Sequence, residues 1–185
     1  MTMRFALGVL TPLMLVASCA GSGPYGGPGH GPMHAAGPTA RATLEPTRGN
    51  TTAGVVMFHQ SGDGVVIHAR VSGLKPNQEH GFHVHEKGDC SSGDGLSAGG
   101  HFNPTGKPHG PQDGDHHAGD LPSLKADANG NADVHLFARG LAVGSGVADV
   151  VGRGLIVHAQ PDDFKTQPTG NAGARLACAV IARAF

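Results

Sequence analysis

Charge is scarce in this chain of 185 residues: Asp, Glu, Lys and Arg together make up 15%, and 13 basic residues stand against 14 acidic ones. A net charge of -1 offers no basic surplus to neutralise phosphates, so nucleic-acid binding has no electrostatic support. Tryptophan is absent and aromatics reach only 4%, while 31 glycines and 13 prolines interrupt the chain at short intervals. That density excludes a coiled coil and points to turns in place of long helices. Long apolar runs are also missing, except for one near the N-terminus that is too short to span a bilayer comfortably, which excludes a bundle of membrane helices. The length fits one globular domain with short additions. One residue type is plentiful: there are 13 histidines, nearly all in segments that look folded.

Residues 1–20 read MTMRFALGVLTPLMLVASCA, with Arg4 ahead of an apolar stretch from Phe5 to Val16 that Thr11 and Pro12 interrupt. Small residues follow, which is the layout of an export signal over residues 1–18. Val16-Ala17-Ser18-Cys19 resembles the lipobox of bacterial lipoproteins, in which the cysteine becomes the lipidated first residue. The alternative is an ordinary secretory signal cleaved near Ala20, with Cys19 incidental. Both readings export the chain; the first makes it a periplasmic lipoprotein that meets the membrane only through its anchor. Residues 19–38, rich in Gly and Pro, cannot build a core and read as a flexible tether. Within it His30 and His34 are weak metal ligands or plain polar linker residues. The folded domain is expected over residues 39–185. The cysteines are three, Cys19, Cys90 and Cys178, and an odd count in an exported protein leaves one thiol to account for. Lipidation of Cys19 leaves Cys90 and Cys178 as the pair for a disulfide in an oxidising compartment.

Residues 53–60 and 65–71 are β-branched runs on either side of Ser61-Gly62-Asp63-Gly64, which predicts a hairpin. Further strands are predicted over residues 40–44, 79–85, 132–136, 154–159 and 175–182, with Asn129-Gly130 as a turn before one of them. No segment of helical length carries apolar residues at three-and-four spacing without a Gly or Pro inside it. The pattern is that of an antiparallel sandwich or barrel. Residues 88–124 show no strand signal and are dense in Gly, Asp, His and Pro. A loop of that length inside a compact domain is functional or disordered, and its histidines favour function.

In Gly81-Phe82-His83-Val84-His85 two imidazoles sit two residues apart, which on a strand puts them on one face. Downstream come His101 in Gly-Gly-His-Phe-Asn-Pro, His109 in Lys-Pro-His-Gly-Pro, His117 and Asp120 in His-Ala-Gly-Asp, and His158 in Leu-Ile-Val-His-Ala. Imidazole suits zinc and copper, and a carboxylate completes a harder zinc site, so these residues can serve two ions.

The segments GFHVHEKGDC, SAGGHFNPTGKPHGP, HHAGDLP, GLIVHAQPDD and GNAGARLACAVI resemble, in order, the signature segments of copper/zinc superoxide dismutases. The export signal and the long spacing from Cys90 to His101 resemble the bacterial periplasmic branch. The resemblance covers most of residues 40–185 and implies an all-β, Greek-key antiparallel sandwich or barrel of immunoglobulin-like form with long metal-binding and electrostatic loops. It implies a copper ion on His83, His85, His101 and His158, and a zinc ion on His101, His109, His117 and Asp120, with His101 bridging the two. His117 fits the family's His-x-Gly-Asp pattern where adjacent His116 does not. Asp162 matches a carboxylate that bridges a copper ligand and a zinc ligand, here His83 and His109; its alternative is a solvated Asp beside Asp163. Arg175 matches the arginine that lies over the copper site and attracts the anionic substrate, superoxide. His80 matches a structural histidine, whereas His59, His68 and His135 match no ligand and read as strand-surface or packing residues.

The implied reaction is disproportionation of superoxide to dioxygen and hydrogen peroxide by Cu(II)/Cu(I) cycling, with His101 and Arg175 taking part. Lys107, Lys165 and Arg153 are further candidates for steering the anion. The chief alternative is a periplasmic copper or zinc carrier or buffer without turnover. A non-catalytic sandwich is a third reading, but it would be expected to lose ligands, and none is missing. Assembly as a homodimer is open.

Overall fold

Strict alternation marks the first strand: in β1, Thr39–Pro46, the side chains of Ala40, Ala42 and Leu44 are buried while Arg41, Thr43 and Glu45 are exposed. The computed structural model describes residues 37–185; the signal segment, Cys19, His30 and His34 lie outside the described residues. The predicted hairpin is present as β2, Ala53–Ser61, and β3, Gly64–Ser72, paired down to Ser61 opposite Gly64. Val56 and Phe58 of β2 and Val65, Ile67, Ala69 and Val71 of β3 point into the core. The remaining strands are β4 (Glu79–His80), β5 (Phe82–His85), β6 (Leu124–Lys125), β7 (Ala132–Arg139), β8 (Gly154–His158), β9 (Arg175–Val180) and β10 (Ala182–Ala184). Among the described residues the one helical element is a 3-10 turn at Leu96–Ala98.

The strands form one curled antiparallel sheet in the order β5-β8-β9-β1-β2-β3-β7, with β10 also on β1, and β4 and β6 make a separate two-stranded ribbon. The jumps from β3 to the far edge at β5, back to β7 beside β3, and again to β8 beside β5 give the crossovers expected of a Greek key. Val84, Leu121, Leu155, Val157, Ala177 and Ile181 join the residues of β1 to β3 in a single apolar core.

Two predicted strands are each broken in two. The run at residues 79–85 divides at Gly81, whose N–H donates to the carbonyl of Gln160 and whose carbonyl accepts from His158 N–H, both at 2.8 Å. A Cβ on Gly81 would lie 2.8 Å from that of Ala172, so the chain can cross here only as glycine. The run at residues 175–182 divides at buried Ile181, whose backbone bonds to Gly152 and Arg153, so that β10 follows the first half of β1 while β9 follows its end. Residues 88–124 form a loop, as their composition predicts, but Leu124 belongs to β6.

Cys90 in this loop is bonded to Cys178 in β9, with Cα atoms 5.9 Å apart and a sequence separation of 88. The bridge ties the start of the loop to the middle of a core strand. The double variant Cys90→Ser/Cys178→Ser is expected to lose about 2–5 kcal/mol of stability, because the long closed loop no longer restrains the unfolded chain. Guanidinium unfolding of the metal-loaded protein, wild type against variant, reads this as a lower midpoint.

Candidate metal centre

The centre is built on β5, whose four residues are all buried. Phe82 and Val84 face the apolar core, so strand geometry turns His83 and His85 together to the other side. One edge of β5 pairs with β8. The free edge is covered by the loop: Phe102 N–H donates to Val84 carbonyl at 2.8 Å, Val84 N–H to Gly119 carbonyl at 2.9 Å, and Gly119 N–H to Phe102 carbonyl at 2.8 Å. These bonds place His101 across from His85 and Asp120 across from His83. His158 ends β8, where the register with β9 shifts, and the irregularity sets His158 opposite Arg175. A bulge of this kind re-aims a side chain.

The result is two groups of buried donors. His83, His85, His101 and His158 each offer a ring nitrogen, and these atoms all lie within 4.8 Å of one another. His101, His109, His117 and Asp120 do the same within 4.8 Å, so His101 belongs to both groups. The His101 ring centroid lies 4.0 Å from that of His83, 5.1 Å from His85, 5.3 Å from His109 and 5.6 Å from His117. His116 turns away, its Nδ1 2.6 Å from the carbonyl oxygen of His117.

Partners outside the groups settle which nitrogen faces in. Asp162 accepts from His83 Nε2 at 2.7 Å and from His109 Nε2 at 2.9 Å, while the carbonyl of Gly99 takes His85 Nδ1 at 2.9 Å and that of Gly173 takes His158 Nδ1 at 3.2 Å. The opposite nitrogens are left for the interior. His83 Nδ1, His101 Nε2, His109 Nδ1 and His117 Nδ1 are buried and have no hydrogen-bond partner. His109 Nδ1 lies 2.9 Å from Asp120 Oδ2 and His117 Nδ1 3.3 Å from Asp120 Oδ1. Neither contact is aligned as a hydrogen bond. Lone pairs gathered on one point in this way are what a cation requires, so the residues fit metal ions.

Burial, followed by repulsion from His101 and neighbouring cationic groups, holds His83 and His85 well below the usual imidazole pKa. His158 is lowered to about 4, first by burial. Burial pushes the Asp120 carboxyl up, but its hydrogen bond from His101 and the surrounding imidazoles outweigh this and hold it below the ordinary carboxylate value. Neutral imidazoles and an ionised carboxylate are the ligating forms.

A pocket of about 270 Å³ opens onto His85, His101 and His158 and is lined on its other side by Thr169, Asn171 and Arg175. Arg175 is the one cationic side chain in that lining among the described residues. Its guanidinium donates to the carbonyls of Gly95 at 2.6 Å and Gly99 at 2.7 Å. Of the other steering candidates, Lys107 pairs with Asp115 at 3.1 Å, Arg153 lies over the Phe102 ring at 4.4 Å, and Lys165 does not line the pocket.

The family model of copper/zinc superoxide dismutase matches residues 52–181. The chain belongs to the copper/zinc superoxide dismutase family. It is 40% identical over 147 residues to a copper–zinc superoxide dismutase of Aquifex aeolicus, covering 77% of this chain and 85% of that one. A copper–zinc superoxide dismutase of Paramecium bursaria Chlorella virus 1 is 43% identical over 135 residues, covering 69% and 71%. Among solved structures, a double mutant of a superoxide-dismutase-like protein from Bacillus subtilis superposes with a TM-score of 0.69 at 39% identity, over 77% of this chain and 96% of that one. The clock protein EA4 gives 0.71 at 39% identity, over 78% and 93%.

Membership of the copper/zinc superoxide dismutases implies copper and zinc as cofactors, and the two histidine groups are where this chain can hold them. His80 stays outside both groups, its Nδ1 donating to the His158 carbonyl at 2.8 Å. His59 is exposed on β2. Several contributors carry no mark in the sequence. The carbonyls of Gly95, Gly99 and Gly173 act through backbone that any residue possesses. Gln167 clamps His109 from both sides, accepting from its N–H at 2.9 Å and donating to its carbonyl at 2.8 Å. Gly170, at φ +66°, packs so tightly on the Asp162 carboxylate and on His109 Nε2 that a Cβ there would overlap both.

The lowered imidazole pKa values fix the sign of the acid response. In metal-free protein the native state binds fewer protons than the unfolded chain between the ordinary histidine value and about 4, so stability falls as pH drops through that window. Each such histidine adds a slope of up to about 1.4 kcal/mol per pH unit. Urea unfolding of demetallated protein at pH 7, 5.5 and 4.5 is expected to show this loss, and a flat profile would show that the imidazoles titrate alike in the native and unfolded states.

Proposed function

We propose that the chain disproportionates superoxide, two anions and two protons giving one dioxygen and one hydrogen peroxide, at a copper–zinc pair bridged by His101. The observation that carries this reading is the double membership of His101, one imidazole with Nδ1 toward Asp120 and an unpartnered Nε2 among three other histidines. In this reading His83, His85, His101 and His158 hold copper, an all-imidazole set suited to it, and His101, His109, His117 and Asp120 hold zinc, which takes imidazole and carboxylate. When bound, copper supplies a one-electron couple between Cu(II) and Cu(I), and zinc supplies fixed positive charge without redox chemistry.

The protein side chains do the remaining work. Arg175, immobilised by two carbonyls, binds the incoming anion in the pocket and neutralises its charge. Electrostatic steering, of which this family is a standard illustration, raises association rates roughly 10- to 1000-fold. His101 would take up a proton at Nε2 when that nitrogen is free of metal and deliver it to the nascent peroxide, with its Nδ1 kept toward Asp120. Asp162 holds the His83 and His109 rings so that neither follows His101 as it exchanges the proton.

We also place the enzyme outside the cytoplasm, with residues 39–185 as the folded domain behind a cleaved signal and a tether. The Cys90–Cys178 disulfide supports an oxidising compartment. Attachment through lipid on Cys19 and pairing into a homodimer belong to the same proposal.

Purified, metal-loaded protein is expected to contain one copper and one zinc per chain and to remove superoxide rapidly in pulse-radiolysis or cytochrome c competition assays. His101→Ala abolishes turnover and disturbs both metals, whereas His59→Ala changes neither. Stoichiometric metal with no turnover would favour the carrier reading instead.

Arg175→Ala, with both metals retained, is expected to lower kcat/KM about tenfold or more and to flatten its dependence on ionic strength. An unchanged salt profile would assign anion guidance elsewhere.

A further inference from the structure

His68 and His135, which match no ligand of the family, come together with an acidic residue on the outer face of the sheet. They stand directly opposite each other on β3 and β7, where Ile67, Ala69, Ala132 and Ala138 turn to the core. The two rings stack with centroids 4.0 Å apart and planes 15° from parallel. Asp133, two residues before His135 on the same strand, shares its face, and its Oδ1 lies 2.7 Å from His68 Nε2. Arg70 Nε takes the other carboxylate oxygen at 3.3 Å. One ligating atom from each of His68, Asp133 and His135 lies within 4.8 Å of the others.

We propose that His68, Asp133 and His135 form a further metal site, open to solvent, that takes a borderline transition ion such as zinc or copper. Two imidazoles and a carboxylate with an open fourth position are a zinc donor set, and solvent completes the coordination. Ligand–metal bonds of about 2.0–2.2 Å set donors around one ion about 3–4 Å apart, so binding opens the 2.7 Å contact between His68 and Asp133 and turns the exposed His135 ring out of the stack toward the ion. Calcium and magnesium, which want an oxygen-rich shell, are disfavoured by the paired imidazoles. The row continues across the sheet to Met57, opposite His68 on β2, and a thioether there adds a preference for copper among softer ions. The site is independent of the buried centre: β3 and β7 occupy one end of the strand order and β5 and β8 the other. Its ligands are also open to solvent, unlike the buried set: Asp133 is 63% exposed and His135 faces solvent, and Arg70 competes with an ion for the Asp133 carboxylate. Binding is therefore weaker and reversible, as befits a site that ions enter and leave.

Equilibrium dialysis of the full chain, already loaded with copper and zinc, against increasing free zinc tests the proposal. One additional zinc per chain is expected. His135→Ala and His68→Ala should each weaken that uptake at least tenfold while the original copper and zinc contents and the dismutation rate stay unchanged. His135→Gln, which keeps a polar side chain at the same exposed position, separates loss of a ligand from any loss of fold. A His30→Ala/His34→Ala variant must retain the additional ion. The proposal is overturned if the parent takes up no further zinc at about 1 mM free metal, if His135→Ala binds it as the parent does, or if uptake disappears only with His30 and His34. Copper added in place of zinc should give a new Cu(II) resonance that the same variants remove.

Discussion

The carboxylate of Asp162 is the point on which the centre turns. It accepts a hydrogen bond from His83 Nε2 at 2.7 Å and another from His109 Nε2 at 2.9 Å, with all three side chains buried. An ionised carboxylate only accepts, so each imidazole must carry its proton on Nε2 and present the Nδ1 lone pair to the interior. One acidic residue thereby selects the tautomer of a ligand in each of two groups. It also joins a rigid strand to a long loop, because His83 belongs to β5 and His109 to the loop between β5 and β6. Phe164 N–H, at 2.7 Å from Asp162 Oδ1, and Gly170, which leaves room for the carboxylate, keep that acceptor from rotating away.

Such an arrangement is costly without metal. Each buried nitrogen left without a partner forfeits about 1–3 kcal/mol of hydration, and several are crowded together. Metal binding relieves that cost, so part of the binding free energy becomes folding free energy. The scaffold must hold the donors in register beforehand, and it does so by backbone means. The loop runs along the free edge of β5 as if it were a strand, His101 and Asp120 each forming a bridge with a residue of β5. This covering also removes an exposed sheet edge that would otherwise invite pairing with another chain.

Much of this was legible in the residues. His83-Val84-His85 on a strand could be placed on one face by period alone, and the loop histidines were conspicuous because solvated loops seldom carry so many. The role of Asp162 was readable only from resemblance, since its neighbour Asp163 is the same residue type and hydrogen-bonds to Lys165 and Thr166 at the surface instead. The breaks at Gly81 and Ile181 were not readable. Each has neighbours on both sides whose side chains favour a strand, and what interrupts the run is a pair of backbone bonds to a distant segment. The pairing of His68 with His135 was hidden for a related reason. Cross-strand neighbours are set by register between segments far apart in sequence, and His68 has no ligand-spaced partner on its own strand.

One carbonyl shows how the disulfide reaches the chemistry. Gly99 O accepts from His85 Nδ1, which orients that ring, and from the Arg175 guanidinium, which faces the pocket. The two donors come from different strands, and the acceptor comes from the loop that contains Cys90. Arg175 and Cys178 lie on β9, so the Cys90–Cys178 bond staples the loop to the strand that carries the arginine. The staple holds this part of the loop on β9, and the carbonyls of Gly95 and Gly99 in turn restrict the rotamers of the guanidinium. A guanidinium fixed in advance binds a small anion without first losing that freedom, whereas a mobile one does not. Under the proposed role of Arg175, the covalent bond acts on anion capture through the position of two backbone oxygens, at a distance from any ligand it could touch.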